Sequence, residues 1–260
     1  MDKREREKQR HQEDEALNKL VWWVCGAAAL FLLLIVAKRY RVNYVVSETG
    51  LAAGVFTAAQ IMTFVALTLA VAGVVLAILR GKSGKAWSKL AGAAVFFAGL
   101  SASSLAVWQD GSGNKIDLVS LLTVIVAVLA MAYYLYQRDF FVIAVTVAVD
   151  IVGVWLFSRV GQSSWRYLFL AMAVVLVLAG VVCLAYLKKS KGIVKVGARE
   201  VRIFSAKANY PLMMVSGGLM VAVLIAAQLL MGGGIPVTVF YAVPVAWALI
   251  MAVYYTVKLM

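Results

Sequence analysis

The sequence predicts an all-α fold, a polytopic transmembrane helical bundle of about eight spans, and three observations carry that prediction. Of 260 residues, 64% are hydrophobic and only 14% are charged, against roughly 45–50% apolar and about 25% charged in a soluble globular domain. Apolar stretches that approach or exceed the roughly 20 residues needed to cross hydrocarbon occur at 20–37, 53–79, 90–108, 118–136, 140–160, 168–187, 211–231 and 238–257. Lys and Arg collect at the ends of these stretches rather than in patches interleaved with exposed aromatics. The net charge of +13 therefore speaks for a lipid bilayer as partner and against nucleic acid.

The chain opens with a charged tail, residues 1–19, that carries six of the 12 acids. The tail is polar on every face. Asp2 with Arg6, Lys3 with Glu7, Arg10 with Asp14 and Glu15 with Lys19 stand at i,i+4 spacing, which supports a solvated helix by about 0.2–0.5 kcal/mol per pair. It reads either as a frayed, helical or disordered extension of the first span or as a docking helix for a cytoplasmic protein partner. Residues 20–260 form the transmembrane domain. The first span is longer than a signal-peptide core and follows an acidic flank, so it is expected to remain as an anchor.

Eight spans place both termini on one side. Counted over alternate segments, 19 Lys and Arg lie on the side of the termini and 6 on the other. Cytoplasmic loops are enriched in these residues, so both termini are expected in the cytoplasm of a bacterial-type cell membrane. Interfacial aromatics agree, with Trp22, Trp23, Trp87, Tyr186, Tyr254 and Tyr255 near inner ends and Trp108 and Trp165 near outer ones. Lys38, Arg39 and Arg41 run against the count, and the path of residues 38–52 is left open. The even-numbered spans end alike, as in AGVVLAILRGK from Ala72 and AGVVCLAYLKK from Ala179. That likeness fits four repeated helical hairpins, and it also fits chance in a chain rich in Ala and Val.

The loop 188–210 alternates apolar residues with Lys188, Lys189, Lys191, Lys195, Arg199 and Arg202. It fits an ordinary basic loop with some β character. It also fits a surface lying on anionic lipid headgroups, each cation adding up to about 1 kcal/mol, or a contact for a soluble partner.

Catalytic chemistry finds little footing. His11 is the only histidine and sits in the tail, which leaves no HExxH zinc site and no intramembrane Ser/His pair. The run Gly81-Lys82-Ser83 has Leu76 where a phosphate loop needs glycine. Cys25 and Cys183 lack CxxC spacing and read as small buried hydrophobes. No enzyme activity, metal or cofactor is expected.

One residue resists this bland reading. Asp150 lies near the middle of the apolar run 140–160, where an Asp costs about 2.5–3.5 kcal/mol on the insertion scale. Thr146, Gly153 and Phe157 share its helical face. Gln60, Ser101, Ser103, Ser104 and Gln228 fall in the same outer half of the membrane. If spans 2, 3, 5 and 7 meet, these residues line a cavity open outward with Asp150 at its floor and GGGIP (232–236) at its lip. The competing account is glue, polar side chains bonding helix to helix at roughly 0.6 kcal/mol each. The expected function is transport or binding of a small solute through a polar intramembrane cavity. The rival is a non-catalytic membrane scaffold or assembly subunit docking partners through the tail and loop 188–210.

Overall fold

The computed structural model describes residues 3–79, 84–109, 111–160, 164–190, 192–196, 199–202, 204, 208–231 and 234–259. Among the described residues the secondary structure is helical apart from one short hairpin. Its elements are α1 (Lys3–Arg41), a 3-10 turn (Val46–Glu48), α2 (Thr49–Leu79), α3 (Gly84–Gln109), α4 (Asn114–Leu135), α5 (Arg138–Val160), α6 (Ser164–Lys189), β1 (Ile193–Val196), β2 (Arg199–Arg202), α7 (Tyr210–Leu230) and α8 (Val237–Leu259). All 8 α-helices among the described residues are long and apolar enough to cross a membrane, and each covers one expected span to within a residue. The charged tail continues α1 without a break from Lys3. Of its expected i,i+4 pairs, Glu15–Lys19 forms at 3.0 Å. Asp2 lies outside the described residues, as do the side chains of Lys3, Arg6, Glu7 and Arg10.

Local chemistry marks the helix ends. Pro211 sits in the first turn of α7, where its missing N–H costs nothing. Gly113, between α3 and α4, has φ 82°, a conformation that a Cβ disfavours. β1 and β2 pair antiparallel, with Ile193 opposite Arg202 and Val196 opposite Arg199, which gives the basic loop its β character.

The described chain forms two compact units, Trp22–Val126 and Met1–Val21 with Ala127–Met260. In the first, α2 and α3 pack antiparallel along a seam of small residues. Thr63, Ala66, Ala70 and Ala77 form the buried stripe of α2, and a Cβ added at Gly73 would stand 3.0 Å from that of Ala94. Small side chains let helices approach this closely where hydrocarbon supplies no hydrophobic drive between them. Leu34, Val107 and Ile116 make a second cluster in this unit.

The path of residues 38–52 also lies in this unit. α1 runs on to Arg41, the 3-10 turn reverses the chain, and the three cations that run against the charge count are all engaged. Lys38 pairs with Asp117, Arg39 with Glu48 at 3.1 Å, and Arg41 Nε donates to the Val107 carbonyl at 3.3 Å.

The second unit is built around α5, which packs against α6, α7 and α8. One apolar cluster joins Phe140, Ile143, Leu184, Met213, Met251 and Tyr255. Another joins Val154, Phe157, Leu224, Ala227 and Phe240. Residue numbers rise together on α5 and α7 from one cluster to the other and fall on α6 and α8. The neighbours α5 and α7 are therefore parallel, as alternate spans of a serpentine chain must be.

Apolar side chains also cover the outside, as for Ile61, Phe64, Ile78, Met172, Val175, Val182, Leu249 and Val253. This is the surface a bilayer would cover. Cys25 and Cys183, expected to be buried, are exposed on α1 and α6. The expectation borrowed a rule from water, where apolar means inside; in hydrocarbon a thiol has no reason to face inward.

Candidate functional site

On α5 the inward stripe is Ile143, Val147, Asp150, Val154 and Phe157, at alternating spacings of four and three. None is more than 5% exposed, and Asp150 is at 0%. On α7 the facing stripe is Met213, Ser216, Met220, Leu224 and Ala227, none above 1%. This repeat keeps one seam against a parallel neighbour, as in a coiled coil. Gly153 lets the two backbones approach: a Cβ there would stand 2.6 Å from Leu224 Cδ2.

Asp150 thus lies in the layer between the two apolar clusters, with no surface open to solvent or to a water-sized void. Neither carboxyl oxygen has a hydrogen-bond partner among the described residues. The polar groups nearest in level are already committed. Thr146 Oγ1 donates to the Ile143 carbonyl at 2.8 Å. Ser216 Oγ donates to the Leu212 carbonyl at 2.8 Å and accepts from Trp247 Nε1 at 3.0 Å. Pro244 interrupts α8 from within and is itself fully buried.

The other expected site residues are divided between the units. Gln60, Ser101 and Ser104 belong to the unit 22–126, and Thr146, Asp150 and Gln228 to the other. Gln60 is exposed on α2, Ser101 and Ser104 are buried, and Gln228 is half-buried. Ser101 Oγ donates to the Thr63 carbonyl at 3.0 Å. Trp108 Nε1 donates to Thr63 Oγ1 at 3.1 Å, and that hydroxyl donates in turn to the Ala59 carbonyl at 2.8 Å.

Among the basic residues of the loop, Lys188 and Lys189 are exposed in the last turn of α6. Lys195, Arg199 and Arg202 sit on the hairpin strands, their side chains outside the described set, and Lys191 lies outside it altogether. The same holds for Gly81, Lys82 and Ser83, and for Gly232 and Gly233 of the expected lip.

Sequence reasoning missed a second enclosed carboxylate. Asp139, 4% exposed, accepts the backbone N–H of Asn209 at 3.0 Å and so ties the start of α5 to the start of α7. Next to it in sequence, Phe140 stacks on Tyr255 at 5.7 Å. The hydroxyls of Tyr210 and Tyr255 are buried with no partner among the described residues. A signal was available: Asp139 precedes Asp150 by three helical turns, which puts both acids on one face. Pro244 was legible too, as a proline in the interior of a span.

No family model, curated protein or solved structure matches the chain. What the layer around Asp150 can do follows from its own chemistry. The chain is a polytopic integral membrane protein by the length and composition of its helices, and among the described residues Asp150 is the buried acid whose carboxyl makes no hydrogen bond.

Proposed function

We propose that the protein transports or binds a small solute, with Asp150 as the titrating or ligand-contacting group of its interior. The reading places it in a bacterial-type cytoplasmic membrane with both termini in the cytoplasm and assigns it no enzyme activity. One observation carries it: Asp150 is fully enclosed, and both its oxygens lack a partner among the described residues. An acid at mid-span is costly, and in the membrane such residues mark proton, ion and substrate pathways. Orientation rests on the charge count, and the three cations that weaken it are engaged by Asp117, Glu48 and the Val107 carbonyl.

The test of function is a thermal-shift screen of purified protein against small amines, carboxylates and sugars, repeated across pH. The parent is expected to be stabilised by one class. Asp150→Asn, which keeps the shape and removes the titration, is expected to lose the shift by at least about tenfold in apparent affinity, or about 1.4 kcal/mol. Equal shifts in parent and variant would end the reading. The test of orientation is labelling of intact cells with a membrane-impermeant thiol reagent after Cys25 and Cys183 are replaced by Ala. Ser112→Cys is expected to react and Ser190→Cys to stay protected, and the reverse pattern inverts the topology.

A scaffold is the second reading. What favours it is the closed layer at Asp150, together with the hairpin that gives loop 188–210 a defined backbone surface beside Lys188 and Lys189. Under that reading Asp150→Asn changes no solute response, and alanines at Lys188 and Lys189 weaken association with anionic vesicles or with a partner.

A further inference from the structure

The packing of α8 against α5 bears on how Asp150 works. Proline has no N–H, so Pro244 leaves the Phe240 carbonyl without the donor that a helix supplies four residues on. That carbonyl lies under the proline ring, and because Pro244 is fully buried it is on the face of α8 that meets the bundle. Two anchors fix its level. Tyr255 stacks on Phe140 at 5.7 Å, and Phe240 packs in the cluster that holds Val154 and Phe157. With α8 antiparallel to α5, Pro244 then falls at the level of Asp150. By this register a carboxyl with no hydrogen-bond partner among the described residues and a carbonyl without its helical donor stand at one level of the bundle.

We infer that Asp150 and the Phe240 carbonyl form a proton-operated latch between α5 and α8; this rests on the reading of Asp150 as a functional group. A proton from the aqueous phase forms an O–H bond on the carboxyl. That O–H donates to the Phe240 oxygen and satisfies both groups at once. Loss of the proton to water breaks the O–H bond and leaves two acceptors facing each other, which repel. α8 lacks a hydrogen bond at this point, so bending there costs little. Release of the proton therefore parts α8 from α5 and opens the layer, which lets water or solute reach Asp150.

The described charged and titratable side chains on the packed elements stand away from this level. On α5, Arg138 and Asp139 are at one end and Arg159 near the other. Tyr210 begins α7. On α8, Tyr241 lies a turn from Pro244 in the second cluster, and Tyr254, Tyr255 and Lys258 are near the end. On α6, Tyr167 is in the first turns, and Cys183, Tyr186, Lys188 and Lys189 are in the last ones. No described cation is placed to neutralise the carboxylate, so a proton is the available counter-charge.

Infrared difference spectra of the membrane-embedded parent between low and high pH test the latch. A protonated-carboxyl band is expected that vanishes in Asp150→Asn. In Pro244→Ala the new N–H competes for the Phe240 carbonyl, so the band is expected to shift, while Pro211→Ala leaves it in place. As a second measurement, carbonyl-13C phenylalanine is incorporated in the parent and the Phe240 amide band is assigned through Phe240→Leu. It is expected to move with pH in the parent and to stay fixed in Asp150→Asn, which decides the matter even if Pro244→Ala does not fold. An Asp150 band that ignores Pro244→Ala, or a Phe240 band that ignores pH, overturns the latch. A lost thermal shift in Asp150→Asn with an unmoved Phe240 band would leave the solute reading standing and the latch refuted.

Discussion

The two units differ in how they treat their most deeply placed polar groups. In the unit 22–126, Thr63 is a hub: its hydroxyl accepts from Trp108 and donates to Ala59, and its carbonyl accepts from Ser101. Lys38 meets Asp117 and Arg39 meets Glu48. In the α5–α8 unit, the most deeply placed acid has no partner at all among the described residues. Interhelical hydrogen bonds average about 0.6 kcal/mol in membranes, whereas an acid at mid-span costs about 2.5–3.5 kcal/mol. Polarity in the first unit is spent on packing. In the second Asp139 and Ser216 serve packing in the same way, but Asp150 is withheld from it, which leaves that acid free to answer a proton or a solute.

The contrast can be broken most decisively at Asp150 itself. Asp150→Val is expected to abolish the solute response while lowering stability by no more than about 1 kcal/mol, because a single interhelical hydrogen bond is the most the carboxyl contributes to packing. Removing one member of a buried ion pair costs about 3–5 kcal/mol instead. Unfolding in mixed detergent micelles reads the difference, and a loss of that larger size would make Asp150 glue.

The next effect is steric. Gly73→Val should cost about 1–3 kcal/mol by overpacking, since the added atoms meet the Cβ and backbone of Ala94. Gly153→Ala should cost less, because the atom it meets is the end of the Leu224 side chain. Equal losses at the two glycines would mean that the α2–α3 and α5–α7 seams are equally rigid.

The smallest effect is expected at the hub. Thr63→Val removes the acceptor of Trp108 Nε1 and should cost about 0.6–1.7 kcal/mol, with any solute response kept in proportion to the folded fraction. A response lost outright in a folded Thr63→Val protein would erase the distinction between the units.

These outcomes bear on what a sequence can show. The eight spans were readable because a run of about 20 apolar residues is a local property, and each α-helix matches one. Asp150 was readable because its cost needs no knowledge of neighbours. The division into units was not, since the outer faces are as apolar as the inner ones and periodicity no longer tells them apart: Ile61 and Phe64 face outward in the same helix that buries Thr63. Partners were equally hidden. Ser101 reaches Thr63 across 38 residues of chain, and Asp139 reaches Asn209 across 70. Gln60, Ser101, Ser104 and Gln228 looked alike as polar residues at one depth, yet depth says nothing about which helices meet.

The Lys38–Asp117 pair has a consequence in time. The two residues are 79 apart in the chain, and at about 5–20 residues per second of synthesis the acid is made roughly 4–16 s after the amine. Glu48 follows Arg39 within about two seconds at the same rates. If the first hairpin enters the bilayer during that interval, it does so before the Lys38–Asp117 pair exists. Once α4 arrives, Asp117 closes on Lys38, and turning α1 over would then require breaking that ion pair.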